Sequence, residues 1–352
     1  MIPEVNIPEP QPADRAPDPV GVPRRRLREY LALYFGGWRC ERMIFALILG
    51  LLLIALMGFI RPQDATGLDP DYFWYLKINW RAQADLVLTG DSRAYLGASP
   101  QAMRNVLAGR RILNFGFDNC GYSPEYLKAA ERVLDPASPH RAIVLGITPH
   151  ALTPQASQLN QFNIMRDQLA EYSATKLRVK LVLSRFFHRF CDPFPPERVL
   201  GMMGIGTVTH HRCEYFADGW MGSVLDPPRP RDALDNVPSR YDNNRISPRI
   251  VQDLLDAAAR WSKAGIKVYA FRLPTNAEMV ALEDKWAPFD ERAFQARFEA
   301  VGGRWLAVDQ NAYATYDGSH LYRDAALRLS RDLGLALAAR EAGERGPAAR
   351  KP

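Results

Sequence analysis

A serine that attacks an ester needs a base to take its proton, a carboxylate to orient that base, and donors for the developing oxyanion. Residues of the right type sit at two distant places in this chain. Gly90-Asp91-Ser92-Arg93 follows the apolar run Leu86-Val87-Leu88-Thr89, and Asp317-Gly318-Ser319-His320 lies near the end. Aspartate and histidine three apart on one turn can face the same point. His320 can then take the Ser92 proton while Asp317 fixes the tautomer and stabilises the imidazolium. Of the six histidines, only His320 follows a predicted strand with a carboxylate at this spacing. A lone Asp-x-x-His is mostly structural, and so is a lone Gly-Asp-Ser. Their pairing at opposite ends of one α/β pattern is what points to nucleophilic catalysis.

The pattern that must bring them together begins at Ala84. Strands are expected at 84–88, 111–117, 141–148, 267–273 and 304–308. Helices are expected at 99–108, 123–134, 248–263, near 291–300, and from 322 to about 339. Ser99-Pro100 and Ser123-Pro124 are start signals, and Gly265 is a stop. Near-continuous apolar strands separated by helices argue a parallel sheet covered on both faces. The expected fold is therefore α/β, a three-layer α/β/α sandwich around a five-stranded parallel sheet of flavodoxin-like type. The alternation breaks over residues 149–245, where a helix is expected at 164–183 within an otherwise irregular stretch. So long a structureless loop is unusual, and it reads as an insertion capping the site.

With these blocks in place, the chain resembles the SGNH (GDSL-type) hydrolase superfamily over about residues 84–335, the insertion apart. Gly90-Asp91-Ser92 matches the first block, with Arg93 where the lipolytic members carry leucine. Asp317-Gly318-Ser319-His320 matches the last. The second block, which supplies an oxyanion glycine, matches loosely as Asn114-Phe115-Gly116-Phe117-Asp118-Asn119-Cys120-Gly121. Gly116 or Gly121 can offer the N–H, and Asn119 leaves the donor open. The third, usually Gly-x-Asn, reads Gly146-Ile147-Thr148, so a hydroxyl stands where the family has an asparagine. Losing one such donor costs about 2.7–4 kcal/mol of barrier. The resemblance implies Ser92, Asp317 and His320 as catalytic residues, with Ser92, Gly116, Asn119 and Thr148 as candidates for the oxyanion hole. It implies no cofactor. Gly-Asp-Ser-Arg, a degenerate third block and a membrane segment are similar to the extracytoplasmic members that O-acylate or de-acylate surface polysaccharides. Some of these work beside a multi-spanning acyltransferase. The alternative is a catalytically weak SGNH-type module that binds glycan or scaffolds an export complex.

Met43 to Ile60 is eighteen residues without a charge, about the length a membrane crossing requires. Arginines precede the run and Asp64, Asp69 and Asp71 follow it, which places the N-terminus in the cytoplasm and the rest outside. The expected organisation is a cytoplasmic tail (1–42), a signal anchor (43–60), a spacer (61–83), the catalytic domain (84–340) and a solvated tail (341–352). Seven prolines in residues 1–23 argue disorder, and residues 24–35 read either as an amphipathic helix on the inner leaflet or as a basic flank. Net charge is +6, much of it in the tails, without the basic residues interleaved with aromatics that a nucleic-acid groove requires.

Among the four cysteines, Cys191 and Cys213 are expected to pair in an oxidising compartment. His188, Cys191, His210, His211 and Cys213 do not match a standard zinc spacing, so no metal is expected. His150, after the third strand, either lines the site or starts a helix. Arg93 and Arg272 fall at predicted strand ends and are placed with Asp91 on the substrate side, against the alternative of salt bridges at the sheet rim.

Overall fold

The computed structural model describes residues 40–60, 68, 70–170, 175, 176, 179 and 210–344. The chain divides into two units, Met1–Pro62 and Gln63–Pro352. In the first, helix α1 (Cys40–Ile60) is 21 residues long, and Phe45, Leu47, Leu51 and Leu52 lie exposed on it. Its side chains are described over residues 42–53, and among the described residues no helix is long and apolar enough to cross a membrane. The tail at 1–39, the amphipathic or basic segment at 24–35, and the end of the chain at 345–352 lie outside the described residues.

The second unit is built on a parallel sheet of β1 (Leu86–Thr89), β2 (Ile112–Asn114), β3 (Ala142–Ile147), β4 (Lys267–Arg272) and β5 (Arg304–Trp305). Their order is β2-β1-β3-β4-β5, the doubly wound arrangement in which the chain reverses direction between the first and third strands. Alternate residues enter two separate cores, because side chains along a strand point to opposite faces. Val87, Ile143, Leu145, Val268 and Ala270 pack with α2 (Pro124–Val133), α3 (Pro248–Lys263) and α4 (Glu291–Ala300). Leu86, Leu88, Val144, Tyr269 and Phe271 pack with α5 (Ser92–Gly97), α6 (Pro100–Arg104) and α7 (Arg323–Glu344). These helices cover both faces of the sheet.

Local chemistry sets most of the boundaries. Ser99, Ser123 and Ser247 each accept a hydrogen bond from the amide three residues on, with proline next in line. Each side chain thereby satisfies one of the unpaired amides at a helix start. Gly265 ends α3 at φ +72°, the left-handed conformation that glycine adopts without cost.

Four departures from the sequence reading matter for the site. The expected spacer contains a helix, α8 (Pro70–Asn79), with Phe73, Lys77 and Ile78 buried. A helix at Ala277–Trp286 (α9) lies between β4 and α4, capped by Asn276. The last strand is two residues rather than five, being an edge strand paired on one side only. Among its described residues the insertion includes α10 (Gln161–Ala170), an antiparallel hairpin of β6 (His210–Tyr215) and β7 (Met221–Asp226), and the short helices α11 (Asp232–Asp235) and α12 (Val237–Tyr241). The expected helix at 164–183 is thus present as far as Ala170, and its remainder lies largely outside the described residues.

Candidate active site

The chain leaves β1 through Gly90, at φ +141°. A β-carbon there would meet Ala94 Cβ at 2.7 Å and the Gly146 carbonyl at 2.9 Å, so only glycine allows the turn this close to β3. Asp91 then caps α5, its side chain accepting from the Arg93 amide. Ser92 is the first residue of that helix and is half-buried, and its own amide has no acceptor among the described residues. This loop lies at the carboxyl edge of β1, beside β3, where the doubly wound topology opens a crevice.

The last loop meets it there. Asp317 Oδ1 accepts from the Ser319 and His320 amides at 2.8 and 2.7 Å, a side-chain-closed turn that fixes the histidine relative to the carboxylate. Gly318, at φ +89°, faces the Pro230 carbonyl so closely that a β-carbon would lie 2.7 Å from it. Asp317 Oδ2 is 2.6 Å from His320 Nδ1, and His320 Nε2 is 2.8 Å from Ser92 Oγ. Burial raises the Asp317 pKa, but the His320 ring, its charge and the two amides outweigh burial and leave the carboxyl below its ordinary value. The three residues read from the sequence are therefore brought together as nucleophile, base and orienting carboxylate would be.

The residues expected around them are engaged otherwise. Asp91 is buried and does not face a substrate: one oxygen holds the Arg93 amide and the other accepts from the Thr148 hydroxyl at 2.6 Å. Burial raises the Asp91 pKa in spite of the charge of Arg93 and the Thr148 bond. The single hydroxyl proton of Thr148 is accordingly directed at Asp91 and not at an oxyanion. Gly116 donates its amide to Asn114 Oδ1 at 2.9 Å, and Gly121 donates to the Ala156 carbonyl at 3.0 Å, so neither is a free donor. Asn119 stands exposed at φ +44°, its amide turned to the neighbouring Asp118 carboxylate.

Arg93 and Arg272 are buried and share one buried carboxylate, Glu283 of α9. Arg93 Nη2 lies 2.6 Å from it and Arg272 Nη2 lies 3.4 Å from it. Arg93 Nε also donates to Ser319 Oγ at 2.9 Å. Burial disfavours the Arg93 charge, yet Glu283 and Asp91 hold its pKa above the ordinary value. Both arginines are engaged in salt bridges, as the alternative reading expects, and these join β4, α5, the loop of His320 and α9.

The insertion hairpin also reaches this loop. His211 Nε2 bonds Ser223 Oγ at 2.8 Å, and Ser223 lies 3.2 Å from the Tyr316 hydroxyl. Cys213 is a free thiol 3.5 Å from His211, which corrects the expected Cys191–Cys213 disulfide; Cys191 and His188 lie outside the described residues. His150 begins a turn of 3-10 helix after β3 (His150–Leu152) and is buried. Burial, then the charges of Arg240 and Arg93, push its pKa down to about 3.

Two structural contributors went unread in the sequence. Glu283 belongs to the helix capped by Asn276, whose side chain accepts from the Met279 amide; an asparagine ahead of a helical run is the one local signal for it. Lys77 is buried among the rings of Phe73, Trp74, Tyr95 and Phe117 at 4.9–5.5 Å. It donates to the carbonyls of Gly116 and Gly219, and burial pushes its pKa well down. Nothing in Phe73-Trp74-Tyr75-Leu76-Lys77 distinguishes such a lysine from a solvated one. Comparison with family models, with curated proteins and with solved structures yields no match.

Proposed function

We propose that this protein is a serine esterase or O-acyltransferase of SGNH type that works through an acyl-serine intermediate. Its substrate in this reading is an ester on a surface or exported polysaccharide. The observation that carries the reading is the chain of contacts from Ser92 Oγ through His320 to Asp317, at 2.8 and 2.6 Å. His320 Nε2 takes the serine proton as Oγ bonds to the ester carbonyl carbon, and the carbonyl oxygen becomes the oxyanion. The tetrahedral species collapses as the C–O bond to the alcohol breaks, and His320 returns its proton to the leaving oxygen. A water or a sugar hydroxyl then attacks the acyl-serine by the reverse route, giving hydrolysis or transfer. Asp317 stays ionised and holds Nδ1–H throughout. The Ser92 amide faces the oxyanion, and the Asn119 amide can join it by releasing the half-buried Asp118 carboxylate.

The charge-free run from Met43 to Ile60, with arginines before it, supports a single-pass anchor that leaves the catalytic unit outside the cytoplasm. A multi-spanning acyltransferase is the partner this placement suits. The engaged amides of Gly116 and Gly121 and the directed hydroxyl of Thr148 favour a second reading, a weakly catalytic glycan-binding or scaffold subunit. Incubating the full-length protein in detergent with an O-acetylated polysaccharide separates the two. Acetate released, or moved to a sugar acceptor, in a Ser92-dependent manner supports the enzyme; binding without either supports the scaffold.

A further inference from the structure

Beyond the triad, the carboxyl edge of the sheet holds a cavity of about 300 Å³ whose polar lining is Asn119, His150, Gln155, Asn236, Ser239 and Arg240. His150 lies two residues past Thr148, whose hydroxyl holds the aspartate next to Ser92. The cavity thus shares with the Ser92 site the segment that follows β3. Its lining has no carboxylate, and only Ala156 and Leu159 are apolar. An acyl chain would require the opposite balance.

The charge in the cavity is unbalanced. Arg240, at the end of α12, has no hydrogen bond or ion pair from its guanidinium among the described residues. That contrasts with Arg93 and Arg272, each held by Glu283. Of the other titratable groups, His150 is kept neutral by burial and by the cations of Arg240 and Arg93. Neutral amides surround the cation: Gln155 is anchored through its oxygen by Asn244 at 3.0 Å, which leaves its amide protons to a ligand. An unpaired guanidinium ringed by neutral hydrogen-bonding groups matches a carboxylate on a hydroxyl-rich framework, because the planar fork donates to both carboxylate oxygens at once.

We propose that this cavity is a subsite for an acidic sugar residue of the polysaccharide, with Arg240 holding the sugar's carboxylate. Its role in catalysis rests on the esterase reading, but the binding itself does not.

The test uses the full-length protein in detergent with Ser92→Ala, so that nothing is turned over. Titration calorimetry compares hexagalacturonate with a neutral galactose hexamer. The acidic hexamer is expected to bind at least about tenfold more tightly, with the advantage shrinking as salt rises. Arg240→Gln is expected to abolish the difference, and Arg240→Lys to restore part of it. Equal affinity for the two hexamers, or an acidic preference that survives Arg240→Gln, overturns the subsite. Reaction of the unmutated protein with p-nitrophenyl acetate tests Ser92 separately: failure there removes the esterase reading and leaves the binding result standing.

Discussion

The two sides of the site use their polar atoms in opposite ways. On the side of the last loop, Asp317, His320 and Ser92 form one directed chain that ends at the Ser92 hydroxyl. On the side of the second and third strands, Asn114 holds Gly116, Ala156 holds Gly121 and Thr148 holds Asp91. In the proposed reading the first arrangement is aimed at a substrate, whereas the second is aimed inward at the scaffold. A nucleophile can thus be fully assembled while the means of stabilising its intermediate is reduced to the Ser92 amide and an exposed loop residue. Rate in such an enzyme would be limited by the oxyanion, since each missing donor costs a few kcal/mol of barrier.

The largest effects should come from the directed side. Ser92→Ala and His320→Ala are expected to bring hydrolysis of p-nitrophenyl acetate to the background rate. Asp317→Asn should lower kcat by roughly 10⁴-fold through the wrong tautomer, with the fold intact. A loss below tenfold for Asp317→Asn would put the two sides on a par.

Stability should respond most on the inward side. Arg93→Met leaves Glu283 buried with only the longer Arg272 contact, and breaking a buried pair costs about 3–5 kcal/mol. Urea denaturation checks this, and an unchanged midpoint would return Arg93 to the substrate. Thr148→Val is a smaller perturbation that strands a buried Asp91 oxygen, at about 1–3 kcal/mol of stability. Thr148→Ser keeps the hydroxyl and should stay within about twofold of the parent in kcat. If Thr148→Val instead lowers kcat a hundredfold without touching the denaturation midpoint, the hydroxyl is an oxyanion donor and the contrast between the two sides fails.

The smallest expected effect lies at the other end of the sheet. Burial raises the Asp85 pKa, but bonds from Arg111 and Ser138 outweigh it and hold the carboxyl at about 2. A depressed folded pKa stabilises the protein above the unfolded value of about 3.9, and that stability is lost as pH falls toward 2. Melting temperatures measured between pH 5 and 2 should fall less steeply for Asp85→Asn than for the parent.

What the sequence made legible follows the same division. Asp-x-x-His sets its geometry within one turn, and Gly-Asp-Ser sits on a strand whose glycine is forced by the approach of β3. Together, at opposite ends of one α/β pattern, the two motifs are legible in the sequence, as are the Ser-Pro caps and Gly265. Whether a backbone amide is free is a different kind of question. The Gly116 amide is occupied because the Asn114 side chain folds back on it, and Thr148 because Asp91 lies across the switch point. Neither pairing leaves a trace in local pattern. Helix α8 was missed because Phe73, Trp74 and Tyr75 give no clear apolar stripe, and the role of Lys77 depends on a cage drawn from three separate segments. Proximity in sequence points Cys213 to Cys191, whereas the hairpin sets it, as a free thiol, beside His211.

An activated Ser92 nucleophile is what the proposed function requires above all. Full-length protein in detergent should therefore be treated with a fluorophosphonate probe and mapped by peptide mass spectrometry, beside Ser92→Ala and His320→Ala. Labelling confined to Ser92, absent from Ser92→Ala and strongly slowed in His320→Ala, is the predicted result. An unlabelled Ser92, or labelling at the same rate without His320, would contradict it.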